Sequence, residues 1–315
     1  MPDSMATDSS SPWLIADIGA TNTRCAQVTQ ENPEPIDLQL YDNADFDSLK
    51  SLLESYLQTG RRPRFAALAI AAPISGDDIQ MINIDWRFNR RDLCEELDLE
   101  SLWVINDFHA IACALPWFDE TKTVEIGKSA AYRDGNRAVL GPGTGCGVAA
   151  WIADGGAVMS GEGGHVTLAA IDEREAGLIA AIRGRLGHCS AERVLSGPGL
   201  LELHYAMHGI RLEDPAAIGA ATNDPACDAT MAQFFDFLAT VSADLALTTG
   251  ATGGLFIAGG IVPKSIHRLE ASSFRTRFEN KGRYREYMQA IPTYVITDPN
   301  PGLTGLAAYV KRLQQ

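Results

Sequence analysis

The sequence has little of what nucleic-acid-binding, membrane and secreted proteins need. Its 26 Lys and Arg residues are outnumbered by 40 Asp and Glu residues, and the net charge of −14 argues against binding to nucleic acid or to an anionic membrane surface. No apolar run approaches the roughly 20 residues of a membrane-spanning helix. The six cysteines form no CxxC pair, so we expect reduced thiols that mostly fill core positions.

The amino-terminal segment also lacks the features of a signal peptide. Residues 1–11 contain neither a basic stretch nor an apolar one, and we expect a disordered tail there. Together these absences predict a soluble, cytoplasmic protein with no nucleic-acid and no membrane partner. With 315 residues, of which 46% are hydrophobic, the chain is long enough for two domains that each have a core.

A Gly–Thr hairpin occurs twice, first as IADIGATNTRCAQV from Ile15 and again as VLGPGTGCGVAAWI from Val139. In each copy an apolar strand leads through a turn of Gly and Thr into a second apolar strand. Such a turn exposes backbone N–H groups and a hydroxyl to a bound anion. Two copies, each opening one half of the chain, predict two half-domains that hold one polyphosphate from opposite sides. Asp17, at the end of the first strand, is well placed to hold a cation against that phosphate.

Strands and helices alternate along the chain, which is typical of an α/β protein. The elements predicted for the first half are strands at 13–18, 23–28, 36–42, 65–73 and 101–107, and helices from an N-cap at Asp47 to about Leu57, over 91–97 and from about Phe108 to Ala114. Those predicted for the second half are the second hairpin, a helix capped by Ser196 that runs to about Met207, a long helix from Cys227 to Thr249, a strand within 254–264 and a final helix from Leu303 to Leu313.

Pro116 and the polar stretch 119–123 indicate a domain boundary. The final helix could pack back on the amino-terminal domain, which would make that domain discontinuous. We therefore expect a small α/β domain of residues 12–117 plus 299–315, and a large α/β domain of residues 118–298.

Six segments, which follow the same order over nearly the whole chain, resemble those of bacterial glucokinases of the proteobacterial type, in the sugar kinase–actin–chaperone ATPase superfamily. The segments are DIGATNTR (17–24), INDFHAIACALP (105–116), GPGTGCGVA (141–149), GEGGHVT (161–167), ERVLSGPGL (192–200) and AGGIVPK (258–264). The resemblance implies a two-lobed, actin-like or hexokinase-like ATPase fold, built from duplicated ribonuclease H-like half-domains with a cleft between the lobes. It also implies ATP and Mg²⁺ as cofactors, a role in glycolysis and a homodimer.

Asp107 lies where the predicted strand LWVIN gives way to a helix, and the carboxyl ends of α/β strands border ligand crevices. A carboxylate within hydrogen-bond reach of a sugar hydroxyl can accept its proton as the oxygen attacks the γ-phosphorus. Spacing alone favours an ordinary N-cap at this position. The resemblance implies that Asp107 is the general base and also contacts the sugar, and that Asn106 binds the sugar.

Glu162 and His165 lie three residues apart in a glycine-flanked stretch, where the backbone can approach a ligand closely. Such residues are more often part of a surface turn, but the resemblance implies that both bind sugar hydroxyls together with Glu192. Three carboxylates with an Asn and a His suit a neutral polyol and would repel an acidic substrate. The chain has neither a His–Cys cluster nor the CxCGxxGCxE motif of related repressor-type sugar kinases, so we predict no zinc.

The two Gly–Thr turns and one later Gly pair are the predicted nucleotide site. Thr21 and Thr144 are the hydroxyl-bearing residues of the turns, and Gly259 and Gly260 resemble the segment that passes the adenosine in this superfamily. Asp17 is expected to order the Mg²⁺ shell through water, since Mg²⁺ keeps most of its own waters. The predicted nucleotide-binding residues are Ala16, Asp17, Ile18, Gly19, Ala20, Thr21, Gly143, Thr144, Gly145, Gly259 and Gly260.

The first turn departs from the family at Ala20, where the usual sequence Gly-Gly-Thr is Gly19-Ala20-Thr21. A Cβ at this position disfavours left-handed backbone. Two interpretations follow: either the residue has a negative φ in the native turn, or the phosphates lie slightly differently in this chain.

The leading hypothesis is ATP-dependent phosphorylation of D-glucose on its 6-hydroxyl. Closure of two lobes on the sugar would exclude water, which competes as a phosphoryl acceptor. One alternative is a kinase of another neutral hexose, such as mannose or an N-acylated amino sugar. The other is a non-catalytic sugar sensor or a partner-driving ATPase of the same fold. The presence of Asp107 favours an enzyme over both non-catalytic alternatives.

Overall fold

A computed structural model describes residues 11–29, 34–58, 62–82, 84–129, 134–221 and 223–314. The chain divides into two compact units, of which the first contains residues 1–117 and 299–315 and the second contains residues 118–298. The predicted tail over residues 1–11 lies, apart from Ser11, outside the described residues. Within the described part of the chain, no helix is both long and apolar enough to cross a membrane.

The first unit consists of a five-stranded sheet, a separate pair of short antiparallel strands and helices. Its elements are β1 (Trp13–Ile18), β2 (Asn22–Val28), β3 (Ile36–Asp42), α1 (Leu49–Leu57), β4 (Phe65–Ile70), β5 (Asp78–Gln80), β6 (Arg87–Asn89), α2 (Arg90–Glu96), β7 (Ser101–Asn106), α3 (Asp107–Ala114) and, from the end of the chain, α11 (Pro301–Leu313). The sheet has the order β3-β2-β1-β4-β7, in which β1, β2 and β3 are antiparallel and β1, β4 and β7 are parallel. Strand β4 is buried at every position, as expected of a parallel strand covered on both faces.

The helix predicted from Asp47 to about Leu57 is present, but its predicted N-cap is wrong by one residue. Ser48 caps α1, because its hydroxyl accepts the backbone N–H of Ser51 while the Ser51 hydroxyl accepts the N–H of Ser48. This reciprocal pair satisfies two otherwise unpaired helix N–H groups, so it is preferred over the neighbouring carboxylate.

Helix α11 covers one face of this sheet. Leu303 and Leu306 are fully buried in a cluster with Trp13 and Ile15 of β1. The helix also crosses α3 so closely that a Cβ on Gly305 would overlap the carbonyl group of Ala110. Glycine is therefore required at this crossing.

The second unit is a six-stranded sheet with a larger set of helices. Its elements are β8 (Thr123–Glu125), β9 (Arg137–Pro142), β10 (Cys146–Trp151), β11 (Val158–Gly161), α4 (Glu173–Leu186), α5 (Gly197–His208), α6 (Pro215–Ala220), α7 (Pro225–Thr249), β12 (Gly254–Ile257), α8 (Ile266–Glu270), α9 (Phe274–Glu279), α10 (Arg285–Ala290) and β13 (Thr293–Ile296). The sheet has the order β11-β10-β9-β12-β13-β8. Its first five strands repeat the pattern of the other unit, because an antiparallel β11-β10-β9 meander is followed by parallel β12 and β13. The two predicted hairpins are thus the equivalent first pairs of two similarly built sheets.

Helix α7 forms the centre of the second core. It is capped by Asp224, has Pro225 in its first turn and ends at Gly250 in the left-handed conformation. Buried phenylalanines at 234, 235 and 237 fill its surroundings. The cysteines also fill core positions, as predicted, since five are buried and Cys94 is partly buried.

Candidate active site

The predicted residues of the first unit lie at one edge of its sheet. Strands β1, β4 and β7 run parallel, with Ile18 opposite Ile70 and Ile70 opposite Asn106. Their carboxyl ends therefore meet at the same edge, where Asp17 belongs to β1 and Asp107 follows β7. One strand separates β1 from β7, so the two backbones are about 10 Å apart at this edge.

Asn106, rather than Asp107, is the N-cap of α3. The Asn106 Oδ1 atom accepts the backbone N–H groups of Phe108 at 2.9 Å and His109 at 3.3 Å, and its Nδ2 donates to the Ala72 carbonyl at 3.3 Å. Asp107 is the first residue of the helix, and one of its oxygens also lies 3.0 Å from the Phe108 nitrogen. Because Asn106 performs the capping, the carboxylate of Asp107 is not needed for that role.

Both carboxyl groups at this edge hold their protons more tightly than usual. Burial and, to a smaller extent, the charge of Asp17 raise the pKa of Asp107 to about 7. The hydrogen bond from the backbone N–H of Phe108 opposes this rise. Burial raises the pKa of Asp17 to about 6, although Arg24, its cross-strand neighbour, opposes the shift. A carboxylate with a pKa near 7 has the proton affinity that suits a general base at neutral pH.

The first Gly–Thr turn connects β1 to β2. It is closed by a hydrogen bond from the Gly19 N–H to the Asn22 carbonyl at 3.0 Å. Among the described residues, those other than glycine with a positive φ are Asp37, Asp98 and Asn223. Ala20 is not one of them, which confirms the interpretation that this position has an ordinary negative φ.

Four predicted residues of this turn region differ in what they can offer a ligand. Ala16 and Ile18 have fully buried side chains, so only their backbone groups could reach a nucleotide. Thr21 is exposed. Asp17 packs against α11, since a Cβ on Gly302 would lie 2.5 Å from its Oδ2 atom.

The second Gly–Thr turn, between β9 and β10, lies among other glycine-rich segments of the second unit. The Gly143 N–H donates to the Gly145 carbonyl at 2.8 Å, and the Gly143 carbonyl accepts the N–H of Gly197 at 2.8 Å. Gly259 has a φ of +88°, and a Cβ there would overlap the Pro142 carbonyl. The predicted adenosine segment, which also contains the exposed Gly260, thus lies directly beside the predicted phosphate turn.

Glu192 connects the predicted sugar ligands to this second turn. Its Oε2 atom accepts the N–H of Cys146 at 2.9 Å, and a Cβ on Gly145 would lie 2.6 Å from the same oxygen. His165 Nδ1 lies 3.9 Å from Glu192 Oε1, and the His165 N–H donates to the Glu162 carbonyl. The structure therefore brings Glu162, His165, Glu192 and the turn together.

Sequence reasoning missed a cavity beside this cluster. It has a volume of about 370 Å³, and its walls include Thr144, Glu192, Ser196, Tyr205 and Arg211. The Arg211 guanidinium lies over the Tyr205 ring at 4.1 Å. The N-cap role of Ser196 was predictable, but the position of Arg211 depends on how the loop after α5 folds back, which no local pattern signals.

The predicted site residues thus form two groups, one in each unit. The first contains Ala16 to Thr21 with Asn106 and Asp107. The second contains Gly143 to Gly145, Glu162, His165, Glu192, Gly259 and Gly260. Among the described residues, no group of three or more His, Cys, Asp and Glu side chains is arranged as a metal site.

Comparisons with known proteins show the family of the chain. The family model described as Glucokinase matches residues 14–313. A curated glucokinase from Aromatoleum aromaticum is 42% identical over 309 residues, which cover 94% of this chain and 93% of that protein.

Solved structures give the same result. The crystal structure of a glucokinase from an Antarctic psychrotroph is 39% identical and has a TM-score of 0.85, with 96% of this chain and 99% of that chain covered. A glucokinase from Balamuthia mandrillaris in complex with glucose shares the fold at 23% identity and a TM-score of 0.81, with 98% and 96% covered. These matches define the class of protein as an α/β sugar kinase. Within that class, the family model and the 42% identical relative show that the chain belongs to the glucokinase family.

Proposed function

We propose that Asp107 is the general base in the ATP-dependent phosphorylation of D-glucose at its 6-hydroxyl. Membership of the glucokinase family supports the reaction. The observation that carries the role of Asp107 is its position at the carboxyl edge of the sheet, where Asn106 relieves it of helix capping and its pKa is raised to about 7.

The reaction moves one proton and one phosphoryl group. The Asp107 carboxylate accepts the proton of the 6-hydroxyl while that oxygen attacks the γ-phosphorus. The bond from the γ-phosphorus to the bridging oxygen breaks, and ADP leaves with the electron pair. The products are glucose 6-phosphate, ADP and a protonated Asp107, which loses its proton to solvent before the next cycle.

We propose that the sugar is held by Asn106 and Asp107 from the first unit and by Glu162, His165 and Glu192 from the second. Carboxylate and amide oxygens accept hydroxyl protons, and the Asn106 Nδ2 and the His165 ring can donate to hydroxyl oxygens. The cluster that joins the last three residues supports this role, since its hydrogen bonds fix their backbones beside the second turn.

We propose that ATP is held by the two Gly–Thr turns and by the Gly259–Gly260 segment. The adenosine would lie towards the cavity that Thr144 lines, and the walls of that cavity include the Tyr205 ring with the Arg211 guanidinium over it. Asp17 is a partly buried carboxylate at the start of the first turn, and one carboxylate with waters suits Mg²⁺. When bound, Mg²⁺ neutralises negative charge on the phosphates, and Asp17 would orient its waters.

We further propose that the two domains are residues 12–117 plus 299–315 and residues 118–298. The division of the chain into two compact units supports these boundaries. A homodimer, a cytoplasmic location and a role in glycolysis are proposed from the family resemblance alone.

The test is a steady-state assay of the purified protein with Mg²⁺-ATP and a panel of hexoses. We expect D-glucose to have the highest kcat/KM, above mannose and N-acetylated amino sugars, with glucose 6-phosphate as the product. A higher kcat/KM for another hexose would show that this hexose, and not glucose, is the preferred substrate. Nucleotide hydrolysis without sugar phosphorylation would favour the partner-driving ATPase.

A further inference from the structure

Asn43 is a buried asparagine that lies directly against the first Gly–Thr turn. It begins a short 3-10 helix over Asn43–Asp45, which Asp42 caps by accepting the N–H of Ala44 at 3.0 Å. The Asn43 carbonyl accepts the N–H of Phe46 at 3.2 Å, so the backbone on both sides of Asn43 is fixed. Only 2% of the residue is exposed, and a polar side chain at such a position needs partners.

All of those partners belong to the turn or to the strand that follows it. The Asn43 backbone N–H donates to the Thr21 carbonyl at 2.8 Å, and the side-chain Nδ2 donates to the Gly19 carbonyl at 2.9 Å. The Asn43 Oδ1 accepts the hydroxyl of Thr23 at 2.7 Å. One residue therefore binds the carbonyl groups on both sides of Ala20, and Thr23 fixes which way its amide points.

These hydrogen bonds set the polarity of the turn. In a trans peptide the C=O and the following N–H point in opposite directions. Because Asn43 holds the carbonyls of Gly19 and Thr21 on its own side, the N–H groups of Ala20 and Asn22 point to the other side. A set of N–H groups that point the same way is what binds an anion, whereas a carbonyl turned to that side would repel it.

We propose that Asn43 is a positioning residue for phosphate binding by the first turn. It contacts no substrate itself. Its side chain keeps the Gly19 carbonyl away from the nucleotide, and its backbone N–H, which the variants below retain, holds the Thr21 carbonyl. The proposal rests on the proposed function, since it takes the turn to be a phosphate contact.

The principal variant is Asn43→Leu, which keeps the size of the side chain and removes its hydrogen bonds. We expect the KM for ATP to rise about tenfold, equivalent to one hydrogen bond, with the KM for glucose within twofold of wild type. Thr23→Val removes only the hydroxyl that orients the amide, so it should raise the KM for ATP by less. Asn43→Ser is the second variant if Asn43→Leu fails to fold. It cannot reach Gly19 and should likewise raise the KM for ATP.

The matched control is Asn136→Leu, at the residue before β9 and so at the opposite end of that strand from the second Gly–Thr turn. Asn136 makes a similar pair of side-chain hydrogen bonds. Its Nδ2 donates to the Thr249 carbonyl at 2.8 Å, and its Oδ1 accepts the N–H of Ala153 at 3.0 Å. Its replacement should lower the melting temperature and leave the KM for ATP unchanged.

Calorimetric titration of ATP into each folded variant gives a second measurement that does not depend on turnover. A normal ATP affinity in folded Asn43→Leu or Asn43→Ser, with only a lower melting temperature, would reduce Asn43 to a structural residue and overturn the inference. Thr21→Val tests whether the turn contacts ATP at all. If the wild-type protein does not phosphorylate glucose, the proposed function fails, and that result is distinct from failure of the inference about Asn43 alone.

Discussion

Asp107 illustrates how a proposed catalytic residue can lower the stability of its own fold. A carboxyl whose pKa is about 7 in the native protein and about 3.9 in the unfolded chain keeps its proton only when folded. Between about pH 4 and pH 7 the unfolded chain therefore binds fewer protons, and stability falls as the pH rises. Above pH 7 the full destabilisation remains.

Asp107→Asn should therefore stabilise the ligand-free protein at pH 8 and have little effect on stability near pH 4. We expect a gain on the order of 1 kcal/mol at pH 8, measured by urea unfolding at both pH values. Equal stability of variant and wild type at pH 8 would show that the native carboxyl ionises without cost.

The same substitution should abolish the base. In the wild type, kcat/KM for glucose should rise with pH through an apparent pKa near 7, because the base must be ionised. Asp107→Asn should lower kcat by 10²–10⁴-fold or more, and this limb of the profile should disappear. Glu192→Gln is the comparison variant, whose main loss should be a raised KM for glucose. Near wild-type kcat in folded Asp107→Asn would exclude it as the base.

Ala20 and Asn43 mark what local sequence can and cannot predict. The negative φ of Ala20 was predictable, because a Cβ alone disfavours left-handed backbone. The proposed role of Asn43 could not be found in this way, since it depends on hydrogen bonds to residues 20 or more positions away and an Asn after a strand is typical of any turn.

Ala20→Gly should cost roughly 0.4–1 kcal/mol of stability, because glycine mainly loosens the unfolded chain at a position with ordinary backbone. We expect the KM for ATP to change little. The measurement is a urea titration with ATP kinetics on the same preparation. A large gain in ATP affinity would indicate instead that the Cβ obstructs the phosphates.

At the scale of elements, the hydrophobic pattern predicted the long helices α7 and α11 and the buried strands, but it did not predict α4, in which only Glu175 and Ile182 are buried. The helix capped by Ser196 and the strands at 13–18 and 36–42 have the predicted bounds to within a residue or two. The short strands β8 and β13 were not predicted, and only Thr123 of β8 lies in the polar stretch 119–123 that indicates the domain boundary. Their three-residue pairing depends on contacts between segments about 170 residues apart, which no local pattern carries.

Helix α11 offers an element-scale prediction through Gly302. A Cβ there would lie 2.5 Å from Asp17 Oδ2 and 2.7 Å from its Cγ, so Gly302→Ala must displace the carboxylate. We expect a loss of about 1–3 kcal/mol in the free energy of unfolding, as for other overpacked sites. The KM for Mg²⁺-ATP should also rise.

A double-mutant cycle identifies the cause. In an Asp17→Ala background the clashing atoms are gone, so Gly302→Ala should cost much less stability there. Gly184→Ala in α4 is the control, because the new Cβ would meet no atom within 4 Å. Equal cost of Gly302→Ala in both backgrounds would mean that it acts on the helix and not on Asp17.

At the scale of the molecule, binding of sugar should be visible as stability. Because a ligand that binds only the folded state stabilises it by mass action, glucose should stabilise the folded protein by about 2.7 kcal/mol at a hundredfold excess over its dissociation constant. Thermal melts with glucose, mannose and no sugar measure this shift. Glu162→Gln should reduce the shift, whereas Gly184→Ala should keep it. No shift with any hexose would contradict the proposed sugar site.

Helix α11 has a further consequence for how the polypeptide is made. The apolar face formed by Trp13, Ile15 and Phe65 is covered by Leu303 and Leu306, which the ribosome adds about 190 residues after α3. At 5–20 residues per second, this delay is on the order of 10–40 s. The second unit is encoded without interruption and can fold during that interval. In the nascent chain the second unit would therefore be folded while the apolar face of the amino-terminal sheet is still exposed. We expect molecular chaperones to bind this sheet.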